Sequence, residues 1–560
     1  MSLMGVMPKR KNILGGNQMK KIIALVLVLM MSLSCIQGAL ACTILAAGKD
    51  ATVDGATIVS QTDDSSVADF RLWAIPSMKG GEGITRDLVL DSHNYGDYGD
   101  YPNTKDYGNG MLVAEIPQPE DTNRYFHSRY SFINDAGVAM GESTFSISTA
   151  TEYGKKVKEL VYGGFDGLID CWNAQDIALE QADSAREAVE VMGALVEEHL
   201  WSQSGETINI GDGDEVWIME IYGRDLWAAF RLPDDALFVG ANRARINTFD
   251  FEDKENFLCS ANLKSFAVDN GLWKEEDGNF SPADIYAPND SAYAFRREWR
   301  GMDLVAPSLG LDPELADQAL QPLYVVPDKK VSVDDIFKIH GDYYQGTPYD
   351  QSLTMYSGDF GDPLNIKNPE RTINLFRTCY NMIASINDKY ADEVKSLVWY
   401  GYGAADSGFI MPLWPSMTSL PKLFTTGNRY ENFDRESGWW IASYVQQVAK
   451  TNYNYAIDII HDRRADRMAK QYEEVPVFQE LISNMIKDGQ SELAIDLLTG
   501  YASNNAEEWF DIWLELGDEL FADTMFGNAI EMKYVQYSDW YQEVLDNTAS
   551  KPVEQDAPKE

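Results

Sequence analysis

The stretch Gly38–Ser66, GALACTILAAGKDATVDGATIVSQTDDSS, decides how the chain is read. Two apolar runs, CTILAAG from Cys42 and ATIVSQTDD from Ala56, are separated by KDATVDG, whose Asp and Gly residues suit a turn, so the segment predicts a β-hairpin. Neither run has the polar/apolar alternation of a strand with one solvated face. Short, continuously apolar strands are covered on both sides, which favours a layered architecture of sheets and helices.

Upstream of the hairpin, Lys20 and Lys21 precede an apolar run from Ile22 to Leu33, and Gly38-Ala39-Leu40-Ala41 has the small-x-small form of a signal peptidase site. Residues Met1 to Gln18 fit no signal sequence well, and Met19-Lys20-Lys21 reads as the better start. The expectation is a removed leader, residues 1–41, and a secreted or periplasmic protein. The apolar run is shorter than the roughly 20 residues of a spanning helix, and no later stretch is both longer and uncharged, so no stable membrane insertion is expected.

The formal charge is −42, and the first 41 residues hold five Lys or Arg and no Asp or Glu, so the exported chain is more acidic still. That excludes nucleic acid and anionic membrane surfaces as partners. Beyond the leader stand Cys42, Cys171, Cys259 and Cys379, scattered and without a C-x-x-C pair, which argues against a disulfide scaffold or a zinc site. No histidine pair with metal-ligand spacing, no G-x-S-x-G in a strand-turn-helix context and no P-loop is present.

Cleavage after Ala41 would make Cys42 the first residue, carrying both a thiol and a free α-amine. Reference pKa values of about 8.5 for a thiol and about 7.7 to 8 for an α-amine let the amine take the thiol proton near neutrality without a histidine. The other reading of a boundary cysteine is lipidation, but Ala39 stands three places before Cys42, where a lipoprotein signal usually has an aliphatic residue.

Further along, YSFINDAGVAMGESTFS from Tyr130 predicts a second hairpin turning at Asp135-Ala136-Gly137. Ala185, Ala188, Val189, Met192, Leu195 and Val196 mark one helical face behind a Ser184/Glu187 capping box, and Asn173 is the candidate cap of a preceding helix. From Glu206 four apolar segments separated by turn residues predict a four-stranded meander ending in ALFVGANRARI. Helices are expected over SAYAFRREWRGMDLVA, over SVDDIFKIHGDYY and through most of Ser437–Leu545, and a strand over KSLVWYGYG.

The start CTILAAGKDATVDGATIVSQTDDSS resembles that of the dipeptidase A-like cysteine peptidases, which belong to the N-terminal nucleophile (Ntn) hydrolases. INDAGVAMGEST, DEVWIMEIYG, WAAFRLPDDALFVGANRARI, REWRGMDLVAPSLGL, VSVDDIFKIHGDYYQGTPYD and SLVWYGYGAADSGFIMPLW resemble further blocks of that family, in its order, over roughly Cys42 to Leu545. The resemblance implies an α+β fold, a four-layer αββα sandwich of two antiparallel sheets, here with a helical C-terminal elaboration. Residues 42–545 would form one peptidase domain and residues 546–560 a polar tail.

The implied reaction is hydrolysis of short peptides, chiefly dipeptides, through a thioester on Cys42, with no metal or organic cofactor. Asp64 matches the carboxylate that orients the terminal amine, and Asn242 matches a position whose amide could donate to the oxyanion. Gln61 stands where related hydrolases often have an arginine beside the thiol. Glu142 could pair with the ammonium of an unblocked peptide. Arg243 and Arg245, two apart on a strand, would share a face, so that Arg245 could bind a substrate carboxylate.

An N-acyl amidase of the choloylglycine hydrolase or penicillin V acylase type, and a non-catalytic peptide-binding surface lipoprotein, are the alternatives. A homo-oligomer is left open. Mass spectrometry of the N-terminal peptide of the exported protein is expected to find Cys42 first, with a free amine; a lipidated Cys42 or a longer terminus would overturn this.

Overall fold

The computed structural model describes residues 42–65, 70–81, 83–90, 111–164, 166–317, 319–368, 370–427, 432–525 and 537–549. The expected leader, and the tail beyond Ala549, lie outside the described residues. In chain order the strands are β1 (Thr43–Ala47), β2 (Thr57–Asp64), β3 (Trp73–Ile75), β4 (Thr85–Leu90), β5 (Met111–Pro117), β6 (Tyr125–His127), β7 (Ser131–Asn134) and β8 (Ala139–Phe145). They continue as β9 (Gly205–Gly211), β10 (Val216–Gly223), β11 (Leu226–Leu232), β12 (Leu237–Gly240), β13 (Phe257–Cys259), β14 (Thr378–Ile386), β15 (Ser396–Tyr402) and β16 (Met411–Leu413).

Two antiparallel sheets organise the chain, one in the order β12-β1-β2-β14-β15-β16 and the other β13-β11-β10-β9-β8-β7-β6-β3; β4 and β5 form a separate ribbon. The mixture of helices and antiparallel sheets is α+β and compatible with a sandwich. The opening hairpin forms as its sequence predicts, with Ala47 opposite Ile58 and Thr43 opposite Thr62, and every residue of both strands is buried. Ile133 pairs with Ala139 in the second hairpin.

The expected four-stranded meander is corrected. β9, β10 and β11 are consecutive neighbours, but β12 leaves them and pairs with β1 in the other sheet, Gly240 opposite Ile44. The free edge of β11 is taken instead by β13. Leu237, Phe238 and Val239 are fully buried, so their apolar run is as well satisfied in one sheet as in the other, and strand composition alone does not choose.

The helix Cys171–Gln181 is capped by Asp170, whose side chain accepts from the Asn173 N–H; Asn173 is inside the first turn, which corrects the expected cap. Ser184 caps the helix Ala185–His199 as predicted. These two helices bury Trp172, Ile177, Val189 and Met192 in one cluster with Ile208, Trp217 and Met219 of the eight-stranded sheet. The helix Val333–His340 packs on β14, and the helix Gly438–Ala449 on β15.

Two long helices, Tyr453–Lys487 and Ser491–Met525, follow. They are tied to the segment after β15, where Asp406 receives Tyr453 Oη and contacts His461 Nε2, and Phe409 stacks on Trp509 at 4.5 Å. The helix Asp539–Ala549 runs past Leu545. Among the described residues no helix is long and apolar enough to cross a membrane, and Cys42, Cys171 and Cys259 form no disulfide.

A polar staple joins the sheets. Asn209 on β9 is fully buried, and its Nδ2 donates to Leu45 O on β1 (2.7 Å) and Ser60 O on β2 (3.2 Å), while its Oδ1 accepts from Gly141 N (2.9 Å). Gly141 has to be glycine, because a Cβ there would stand 2.8 Å from Asn209 Oδ1 and 3.0 Å from Gln61 Cβ. Asn209→Ala would remove three buried hydrogen bonds, at roughly 1 kcal/mol each. It is expected to lower the unfolding free energy by about 3 kcal/mol, measured by urea denaturation; a loss below about 1 kcal/mol would refute the staple.

Candidate active site

Cys42 directly precedes β1, and the backbone of Thr43 is fixed by donation from its N–H to Thr62 Oγ1 at 3.1 Å. The thiol lies in the layer between the two sheets. It donates to Glu142 Oε1 on β8 at 2.7 Å, and Asp63 Oδ1 on β2 is 3.7 Å away. Gln61 Nε2 is 3.6 Å from the sulfur and donates to Glu142 Oε1 at 2.8 Å, while Gln61 Oε1 accepts from the Glu142 N–H at 3.2 Å. Gln61 thus clamps Glu142 from both its ends.

All of these side chains are buried. Burial, and after it the charges of Glu142, Asp63 and Asp64, push the Cys42 thiol well up. Asp63 is pushed up to about 7, chiefly by burial, although Arg129 opposes the rise. Arg129, in the connection between β6 and β7, reaches Asp63 Oδ1 at 3.4 Å. The position of Gln61 carries no cation, but a guanidinium from another element faces the same carboxylate cluster.

Strand geometry separates two adjacent acids. Gln61 and Asp63 are two apart on β2 and share the face that looks at Cys42. Asp64 faces the other way: its Oδ1 accepts from Thr378 Oγ1 at 2.6 Å and its Oδ2 lies 3.6 Å from Arg371, and burial pushes its carboxyl up to about 6 against the pull of Arg371.

Asn242 follows β12 in a left-handed conformation, φ 62°, rather than on a continuing strand. Its Oδ1 accepts from Arg297 Nη2 at 2.7 Å, and because a guanidinium can only donate, that contact fixes which way the amide points. Nδ2 donates to Thr144 O at 2.6 Å, and the backbone N–H donates to Ser143 Oγ at 2.9 Å. Ser143 Oγ and Arg297 Nη1 both donate to Cys42 O, at 3.1 and 3.2 Å. Arg297, on the helix Ala292–Val305, therefore ties the backbone of residue 42 to Asn242.

Arg243 and Arg245 meet at one carboxylate, Glu298, at 2.7 and 3.4 Å. Arg245 also donates to Val239 O (2.7 Å) and Pro322 O (2.6 Å), and Arg243 to Ala316 O (2.7 Å) and Gln321. Of the residues singled out in the sequence, the structure brings Cys42, Gln61 and Glu142 into contact, links Asn242 to them through Ser143 and Arg297, and sets Asp64, Arg243 and Arg245 apart. Asp63, Arg129, Ser143, Arg297 and Glu206 went unread. Period-two spacing from Gln61 is the signal that could have found Asp63; nothing local marks the others.

Cys42, Asp63 and Glu142 offer three ligand atoms within 4.8 Å of one another, enough donors for a soft divalent cation. The same set is also what a thiol nucleophile with nearby carboxylates looks like.

Comparison with known proteins places the chain among peptidases. The family model described as Peptidase family C69 matches residues 41–465, beginning beside Cys42, and the chain belongs to that peptidase family. It is 26% identical to a "Probable dipeptidase A" of Streptococcus pyogenes serotype M3 (strain SSI-1) over 441 residues, 77% of this chain and 88% of that one. It is also 26% identical to "Dipeptidase A" of Lactobacillus helveticus, covering 74% of this chain and 82% of that one, and to a "Dipeptidase" of Bifidobacterium longum (strain NCC 2705), covering 70% and 75%.

The carboxylate against the sulfur has a measurable consequence. In Glu142→Gln the thiol loses its nearest negative charge, its pKa falls, and alkylation by iodoacetamide at pH 8 is expected to quicken about tenfold. An unchanged or slower rate would mean that Glu142 does not hold the proton on sulfur.

Proposed function

We propose that the protein is an exported cysteine dipeptidase whose nucleophile, Cys42, is uncovered by removal of residues 1–41. The observation that carries this reading is the Cys42 thiol donating to Glu142 at 2.7 Å in a buried layer, in a chain whose match to a peptidase family begins at residue 41. The relatives' names add dipeptides as the substrate class. The architecture that goes with it is the αββα Ntn-hydrolase sandwich, formed by one domain over residues 42–545. The long helices Tyr453–Lys487 and Ser491–Met525, the first of which runs past the end of the family match at residue 465, are its C-terminal elaboration.

In this mechanism the α-amine of Cys42 takes the thiol proton as sulfur adds to the peptide carbonyl. The oxyanion collects donors on the side of Asn242, whose amide is held by Arg297. Collapse breaks the C–N bond, the leaving amine takes the proton from the Cys42 ammonium, and a thioester remains. Water adds to the thioester, gives its proton to the same amine and releases the acid and the thiol.

Asp63, the β2 carboxylate on the face that looks at Cys42, orients the amine, whereas Asp64 is held on the other face by Thr378. A positive charge at the amine also offsets Asp63 and Glu142, the carboxylates that hold the thiol proton in place. Gln61 keeps Glu142 aligned for the substrate ammonium. Arg245, with its guanidinium held by two carbonyls and Glu298, supports the Arg297 helix rather than a substrate carboxylate.

Cys42→Ala is expected to abolish dipeptide hydrolysis while leaving the melting temperature within a few degrees, and Cys42→Ser to keep below about 1% of the rate, because a hydroxyl is far harder to deprotonate. Wild-type turnover in Cys42→Ala would refute the reading.

A further inference from the structure

The register of β8 on β9 places Thr144 opposite Glu206, with Glu142 two residues back on the same face. Thr144 Oγ1 stands between the two acids, 2.8 Å from Glu206 Oε1 and 3.3 Å from Glu142 Oε2. Two like charges brought this near in a buried layer are strongly destabilising. Glu206 is 2% exposed, and its Oε2 has no hydrogen-bond partner among the described residues. A buried carboxylate oxygen without a donor, next to a second carboxylate, is an incomplete cation site.

Covalent geometry says which cation fits. The α-nitrogen of a peptide is two bonds from its first carbonyl carbon, about 2.5 Å away given bonds near 1.5 Å. A carbonyl carbon poised for attack lies about 3 to 3.5 Å from sulfur. An α-ammonium on the scissile residue therefore falls within a few ångströms of Cys42 Sγ, where Glu142 already sits at 2.7 Å and Glu206 stands behind it across Thr144. Thr144 is the half-buried member of the group, and both acids are buried.

Resting on the dipeptidase reading, we propose that Glu142 and Glu206 together form the subsite for the substrate's free α-ammonium, and that Glu206 sets the requirement for an unblocked N-terminus. Burial first, and then Glu142, push the Glu206 carboxyl well up, so the pair is poor at holding two negative charges on its own. An arriving ammonium supplies a positive charge and its own donors to both acids. An acyl group without the amine supplies none, and leaves the pair as it was. Arg129 is the cation that acts on Glu206 from the β6–β7 connection, and Cys171, Tyr130 and Tyr162 are titratable groups around it.

The test compares alanylalanine with propionylalanine, the same amide without the α-amine, on the wild-type protein and on Glu206→Gln. The wild type is expected to favour alanylalanine at least 100-fold in kcat/KM, in line with sites built around a polar group of the substrate. In Glu206→Gln the KM for alanylalanine is expected to rise about tenfold with kcat within about threefold, and the alkylation rate of Cys42 to stay within about twofold. Thr144→Val, which removes only the bridging hydroxyl, is expected to raise the same KM and serves if Glu206→Gln does not fold. Equal hydrolysis of the two substrates by the wild type, or an unchanged KM in folded Glu206→Gln, would overturn the subsite. Either result, with Cys42→Ala inactive, would leave the nucleophile reading intact, whereas an active Cys42→Ala would overturn that reading instead.

Discussion

The layer between the two sheets holds a thiol and three carboxylates, Asp63, Glu142 and Glu206, where burial alone works against every negative charge. That penalty is the constraint to which the surroundings conform. Arg129 is turned inward onto Asp63, Gln61 makes two hydrogen bonds to Glu142, and Thr144 separates Glu142 from Glu206. A facing pair of sheets normally fills its roughly 10 Å gap with apolar side chains. Here Gly141 and the Asn209 staple draw β8 close to β1 and β2, so that acids from one sheet meet a thiol at the start of the other. A core optimised for stability would not bury this set, and the cost is concentrated at the one place where chemistry needs charge out of water.

What could be read in the sequence was local. The opening hairpin, the Ser184 cap and the helix over Ala292–Val305 each follow from a pattern within a few residues. The fourth strand of the expected meander shows where such reasoning stops. Leu237–Gly240 looks like its predecessors, yet it pairs with β1, and the choice depends on which edge is free in three dimensions. The cap at Asp170 was missed for a smaller reason: Asp170 and Asn173 are both good capping residues three apart, and only the hydrogen bond tells which one precedes the helix.

The site was legible in the same uneven way. Cys42 stood out through its place beside a small-x-small motif, Gln61 through its match to a position where related hydrolases often have an arginine, and Glu142 through its charge. Asp63 and Asp64 are chemically identical neighbours, and only the alternation of side chains along β2 distinguishes the acid facing the thiol from the one facing Thr378. Arg129, Arg297 and Glu206 come from segments remote in sequence and carry no motif. They are found only once the register of β8 on β9 and the placement of the Ala292–Val305 helix are known.

The crossing of the chain from β11 to β12 is what assembles these remote parts. Because Gly240 pairs with Ile44, the residues after β12 emerge beside the first residue of β1 rather than at the far edge of the eight-stranded sheet. The left-handed turn at Asn242 then aims its N–H at Ser143 and its amide at Thr144, both on β8, the strand that also carries Glu142. The helix Ala292–Val305 lies against β12, close enough that a Cβ at Gly301 would stand 2.9 Å from Val239, and this close seat lets Arg297 reach Cys42 O and Asn242 together. Had the fourth strand stayed in the meander, Asn242 and Arg297 would have no route to residue 42. The one feature of the fold that strand composition could not choose is therefore also the one that brings the amide side chain to the thiol.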